Sequence, residues 1–345
     1  VTTAGPRNGV AAGRRRSGAR GAGVAGVLVV LAALLVASVA IGSRDVGWSD
    51  VMAAVGGSAD GFDAAAVSKR IPRTLLAVVA GAALGVAGAV MQGVTRNPLA
   101  DPGILGVTMG ASLAVVTGLA WFGLTAAVSQ IWVAILGAAV SAVFVYTVGS
   151  LGRGGATPLK LALAGVATSA ALTSFVTAVL LVRGDISDTI RSWQIGGVGG
   201  GSFESVRQVA PFLAAGFALC LLSARALNSL ALGDELAAGL GERVVVVRWV
   251  AFVGSVVLCG AATAATGPIA FVGLLVAHGC RLIVGVDHRW LLPFSALVGA
   301  ALLTAADILG RVVARPAEVD AGIVTALVGA PLFIAIVRRQ KVTSP

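Results

Sequence analysis

The stretch from Thr74 to Met91 reads TLLAVVAGAALGVAGAVM, with Arg70 and Arg73 just before it and Arg96-Asn97-Pro98 just after. It carries no charge, and Thr74 is its sole polar side chain. A helix at the surface of a soluble domain is apolar on one face; this run is apolar all round, so its solvent is lipid. Its length suits a crossing of about 30 Å of hydrocarbon at a rise of about 1.5 Å per residue. Asn97-Pro98 then breaks the chain, because the residue before a proline is pushed out of helical geometry. Gly81, Gly85 and Gly88 fall on one face of the helix, which suits close approach of a neighbouring helix or plain packing.

Comparable runs recur along the chain, and they predict spans at Val24–Ile41, Thr74–Met91, 104–121, Ile131–Ser150, Leu161–Val182, Val209–Leu227, Val244–Ala264, Ile269–Val284, Leu291–Val312 and 322–337. The reading is an all-α polytopic membrane protein of about ten transmembrane helices. Composition agrees: 57% of the 345 residues are hydrophobic and only 12% are charged, against roughly 25% charged in a soluble domain. The 47 glycines suit membrane helices, whose backbones pack closely through small residues. The expected organisation is a disordered basic tail over 1–23, a ten-helix domain over 24–337 and a second tail over 338–345.

The net charge of +10 does not point to nucleic acid, since the basic residues lie between apolar runs and form no recognised binding pattern. They report topology instead. Arg96, Arg153, Lys160, Arg225, Arg243, Arg281, Arg289, Arg338, Arg339 and Lys341 fall on one side, together with the arginines of the N-terminal tail. By the positive-inside rule both termini are then cytoplasmic.

Catalytic signatures are missing from the sequence. There is no GxxxxGK[ST] phosphate loop and no GxSxG elbow, and His278 and His288 are spaced wrongly for an HExxH site. Cys220, Cys259 and Cys280 show no CxxC spacing, so neither a disulfide framework nor a zinc site is expected. The reading is a protein without enzymatic activity, resident metal or cofactor. Asp307 is a charge within a span, and Arg311 four residues on makes an intrahelical ion pair the expected arrangement.

The most informative connection is Leu227–Arg243, which reads LNSLALGDELAAGLGER. Asp234 and Glu235 favour a helix start at Gly233, Leu236, Ala238 and Leu240 fall in its short body, and Gly241 can end it in the left-handed conformation. Such a helix either lies at the membrane interface or docks into a groove of a soluble partner.

Several motifs resemble the permease family of iron-siderophore, haem and cobalamin ABC importers. They are Arg70-Ile71-Pro72-Arg73-Thr74, Met91-Gln92-Gly93, Arg96-Asn97-Pro98 with Ala100-Asp101-Pro102-Gly103, Leu230-Ala231-Leu232-Gly233-Asp234-Glu235, Gly267-Pro268-Ile269-Ala270-Phe271, Asp287-His288-Arg289, Ala306-Asp307 and Gly329-Ala330-Pro331. The resemblance runs in family order from Arg70 to the C-terminus. It implies a type II ABC importer permease in the bacterial cytoplasmic membrane. Such a subunit pairs with a second permease, receives substrate from an extracytoplasmic binding protein and is driven by cytoplasmic ATPase subunits. Ferric siderophore is the expected cargo, with haem or cobalamin as alternatives and an ion-coupled carrier as the rival of another class.

The resemblance also assigns roles. Gly233, Asp234, Glu235, Leu236, Ala238, Leu240 and Gly241 correspond to the loop that sits in the ATPase cleft. Arg70, Arg73 and Arg311 correspond to arginines that pair with acidic residues of the binding protein. Thr157, Pro158 and Lys160 fall near the cytoplasmic gate, and the fifth and tenth spans are expected to line the path. Asp320 stands where the family usually has proline, adding a carboxylate near the docking arginines.

Overall fold

The structure, a computed structural model, describes residues 7–42, 46–47, 52, 56, 62–98, 100–103, 105–151, 158–184 and 187–339. Among these residues the regular elements are all helices: α1 (Arg7–Ala40), α2 (Phe62–Thr95), α3 (Val107–Phe122), α4 (Ala127–Ser150), α5 (Pro158–Val182), α6 (Ser187–Ile195), α7 (Phe203–Leu222), α8 (Ala224–Leu230), α9 (Asp234–Gly239), α10 (Val244–Thr266), α11 (Val272–Val284), α12 (His288–Val313) and α13 (Ala321–Arg339). Seven are long and apolar enough to cross a membrane, and α3, α11 and α13 are shorter apolar helices. Each of the ten expected spans has its helix. Thr157 lies outside the described residues.

The helix built on Thr74–Met91 is the axis of the bundle. α2 packs against α12, α10, α11 and α7, and it is the most buried of the seven long spans. Its small-residue face explains how. Gly81 lies on the backbone of Gly299 in α12, Gly85 on the Ser295 carbonyl, and Gly88 on the backbone of Gly273 in α11. A methyl group at Gly85 would sit 2.5 Å from the Ser295 oxygen, so glycine is what lets the two helix axes approach and gain dispersion contacts along their length. α1, by contrast, is peripheral, resting Leu31 on Ala300 and Ala301 of α12 while Leu28, Val29 and Val30 stay exposed.

Four boundaries differ from those expected from the sequence. α2 begins at Phe62 and runs through Pro72, because Arg70 and Arg73 find partners inside the fold and do not need a loop in water. Residues 7–23, expected as a disordered tail, belong to α1; their alanines and arginines are strong helix formers, which outweighs the scattered glycines. At the other terminus α13 reaches Arg339, two residues into the expected second tail. The sixth span stops at Leu222, where Ser223 turns its hydroxyl back to the Leu219 carbonyl at 2.7 Å and α8 departs.

Short α3 and α11 both start from irregular backbone. The segment before α3 is braced by Asp101, whose Oδ1 accepts from the Gly103 N–H at 2.8 Å, and Asp101 is only 5% exposed. Before α11 the chain passes Gly267 (φ 70°) and Phe271 (φ 67°). Any side chain at Gly267 would strike the Trp193 carbonyl, so both the conformation and the space require glycine there. Non-helical backbone at this depth is tolerated only where protein or a cavity surrounds it.

Candidate functional site

Polar chemistry concentrates at the two ends of α2. At its N-terminal end Arg73 offers its Nε and Nη2 to Asp307 of α12, with Nη2 2.7 Å and Nε 3.0 Å from Oδ1. Arg73 Nη1 lies 2.6 Å from Glu318 on the α12–α13 connection. The other Asp307 oxygen sits 2.9 Å from Arg311 Nη2, so the expected intrahelical pair is present but shared with a second arginine. Asp307 and Arg311 are fully buried. In such surroundings a charge persists only when paired and hydrogen-bonded.

Arg311 and Arg70 also hold the end of α1. Arg311 Nη1 donates to the carbonyls of Ser38 at 2.7 Å and Ile41 at 3.0 Å, and its Nη2 to the Ser38 hydroxyl at 2.6 Å. Arg70 Nη1 donates to the Ala40 and Val39 carbonyls at 2.9 and 3.1 Å. These are the carbonyls a helix leaves unsatisfied at its C-terminus, where its dipole also favours a cation. Of the three arginines expected to face a partner protein, two are thus turned inward in the single chain. Arg70 and Arg311 are 7% and 1% exposed; both donate to the end of α1, and Arg311 also pairs with Asp307. Arg73 remains, at the rim. Nearby, Asp320 is half-buried; burial raises its carboxyl above the ordinary carboxylate range, with Arg73 pulling the other way and Asp307 and Glu318 adding to the rise.

Between the two ends lies a cavity of about 680 Å³. Its wall comes from Thr108 and Met109 of α3, Ser169 and Thr173 of α5, the Pro268–Phe271 segment and Ile323 of α13. Among the described residues, Asp101 is the one charged residue on that wall. The fifth and tenth spans named by the sequence reading both contribute to it.

At the C-terminal end of α2, Arg96 adopts φ 51° and pairs with Asp234 at the start of α9. Arg248 of α10 reaches the same Asp234 oxygen at 2.9 Å. The caps expected at Gly233 and Gly241 have φ 115° and 88°, and the Glu242 N–H closes the end on the Ala237 carbonyl at 3.1 Å. Ala237 is buried, while Leu232, Leu236 and Leu240 are 60%, 62% and 66% exposed. The apolar face of this helix thus points away from the protein. Lys160, near the beginning of α5, lies 3.4 Å from the Leu151 carbonyl, and Pro158 opens that helix.

A further cluster at this end escaped the sequence reading. Asn228 of α8 donates to Asp287 at 2.6 Å and accepts from the His288 backbone N–H at 2.8 Å. Burial pushes the Asp287 carboxyl up, but the bonds from Asn228 and the Arg289 N–H outweigh it and hold it below the ordinary range. The residues were visible as a motif; that Asn228, 59 positions away, would cap the same helix was not.

Comparison with known proteins agrees with this architecture. Residues 30–339 match the FecCD transport family. The ferric enterobactin transport system permease protein FepD of Escherichia coli (strain K12) is 45% identical over 302 residues, 87% of this chain and 90% of its own length. A probable siderophore transport system permease protein, YfiZ of Bacillus subtilis (strain 168), is 42% identical over 78% of this chain and 81% of its own. A solved inward-facing putative metal-chelate type ABC transporter superposes with a TM-score of 0.77 at 28% identity, covering 93% of this chain and 99% of that one.

Proposed function

The chain belongs to the FecCD transport family, and from that premise we propose that it is the permease subunit of an ABC importer for ferric siderophores. The substrate class is supported by relatives named for ferric enterobactin and siderophore transport. The division of labour is supported by one observation above the rest: α9 is a capped helix whose Leu232, Leu236 and Leu240 face outward at the end of the bundle. That face suits the groove of a soluble ATPase.

In this reading the α9 end is cytoplasmic, as are both termini, and the Arg73 end is extracytoplasmic. The binding protein docks at the Arg73 end through a carboxylate, which the guanidinium recognises by a charge-assisted hydrogen bond. Arg70 and Arg311 act there indirectly, by fixing α1 and Asp307. A second permease subunit closes the open side of the cavity along α5 and α13, where Leu163, Phe175 and Leu327 are exposed apolar side chains. The cavity wall, on which Asp101 is the one charge among the described residues, suits a large chelate that must slide and not bind. Thr157, Pro158 and Lys160 belong to the cytoplasmic gate region. ATP hydrolysis resides in the partner subunits.

Uptake of labelled ferric siderophore, haem and cobalamin by the assembled transporter tests the substrate. Ferric siderophore is expected to accumulate in preference to the other two; accumulation of haem or cobalamin alone would overturn the assignment.

A further inference from the structure

We propose that Glu318 is an internal stand-in for the binding protein's carboxylate: it occupies the outward edge of the Arg73 guanidinium and must leave before a partner's acidic residue can pair there. The inference rests on the docking reading of Arg73 given above. It concerns a residue on the α12–α13 connection for which the family motifs assign no role.

The geometry separates the two carboxylates that Arg73 holds. Asp307 takes the Nε–Nη2 edge from inside. It is fully buried and also committed to Arg311, so it cannot give way without stranding a buried cation. Glu318 takes Nη1 at 2.6 Å from outside, with its side chain 36% exposed against 11% for Arg73. Glu318, exposed on a connection, is the more readily displaced of the two carboxylates. The inner pair therefore fixes the aim of the guanidinium, and the outer pair covers the donor that remains.

Electrostatics adds a second reason. Among the described residues, Arg73 and Arg311 interact electrostatically with Asp307 and Glu318, Arg70 with Arg311, and Asp320 with Arg73, Asp307 and Glu318. With Glu318 in place, the Nη1 donor of Arg73 already holds a carboxylate. Exchange of Glu318 for a partner's carboxylate replaces one ion pair with another of the same kind, so the step selects for a correctly placed acid while contributing little net affinity.

The test is a double-mutant cycle on the assembled transporter in nanodiscs, with the binding protein that stimulates its hydrolysis as the probe. Glu318→Gln is expected to tighten binding by threefold or more at low salt, and the gain is expected to vanish when Arg73→Ala is also present. Unchanged or weaker binding by Glu318→Gln, in a protein where Arg73→Ala alone weakens binding, would overturn the stand-in role and leave the docking reading intact. Unchanged binding by Arg73→Ala alone would overturn both. Should Arg73→Ala fail to assemble, Arg73→Lys keeps a cation beside Asp307 without the second donor edge. The same loss of the Glu318→Gln gain is then expected, and its persistence would overturn the proposal.

Discussion

Arg73 and Asp307 lie 234 positions apart in sequence, yet Arg73 Nη2 sits 2.7 Å from Asp307 Oδ1. This pair joins α2 to α12 at one end of the bundle, and Arg311 completes it from the other side of the carboxylate. Among the described residues, Asp307 is the buried carboxylate that the two guanidinium groups share.

Asp307→Asn is accordingly expected to destabilise the protein by about 3–5 kcal/mol, the usual cost of removing one partner from a buried pair. Thermal unfolding in detergent measures it. A shift no larger than that of an exposed control such as Glu204→Gln would show that the network adds nothing.

Arg70→Ala frees the Val39 and Ala40 carbonyls. Hydrogen exchange is expected to quicken at residues 38–41, where the last turn of α1 loses its cap, while α2 and α12 keep their protection. Unchanged exchange at those amides would mean that Arg311 alone holds the end.

Gly88→Leu places a side chain where the Gly273 backbone already lies. It is expected to cost at least about 1–3 kcal/mol through overpacking, and a compensating change is not available on the partner, which is itself glycine. A Gly88→Leu protein with wild-type unfolding temperature would contradict the close approach of α2 and α11.

Asp320 gives a pH dependence with a definite sign. Its folded carboxyl titrates above the ordinary value because burial disfavours the charge, so the folded state binds more protons than the unfolded one in that window. Stability should then fall as pH rises from the unfolded value through the raised folded value. Asp320→Asn is expected to remove that slope and to raise the unfolding temperature at pH 7 while changing little below pH 4. An Asp320→Asn protein less stable at pH 7 would show that Arg73 dominates over burial.

Much of this was legible in the sequence for physical reasons. All-round apolar runs can be solvated only by lipid or protein, so the ten spans could be read directly. The Gly81, Gly85 and Gly88 face anticipated the contacts with α12 and α11, and the capping glycines anticipated α9. What could not be read depends on tertiary neighbours. Charges at Lys69, Arg70 and Arg73 look like the end of a span, yet α2 continues through them because α1 carbonyls and Asp307 satisfy the arginines. Glu318 and Asn228 carry no local signal either; each matters through a partner far away in the chain.

Leu236→Glu combined with Leu240→Glu puts two charges on the exposed face of α9. ATPase assembly or its stimulation by the loaded binding protein is expected to fall at least tenfold, while membrane insertion and thermal stability hold, since both side chains are already in solvent. Full stimulation in the double variant would make α9 an interfacial helix and nothing more.

The central claim, ATP-driven import through this subunit, is tested most directly by uptake of labelled ferric siderophore into proteoliposomes holding the chain, its ATPase partner and the binding protein. The account predicts uptake that requires ATP and all three proteins and is indifferent to an imposed proton or sodium gradient. Uptake driven by such a gradient without the ATPase would contradict it.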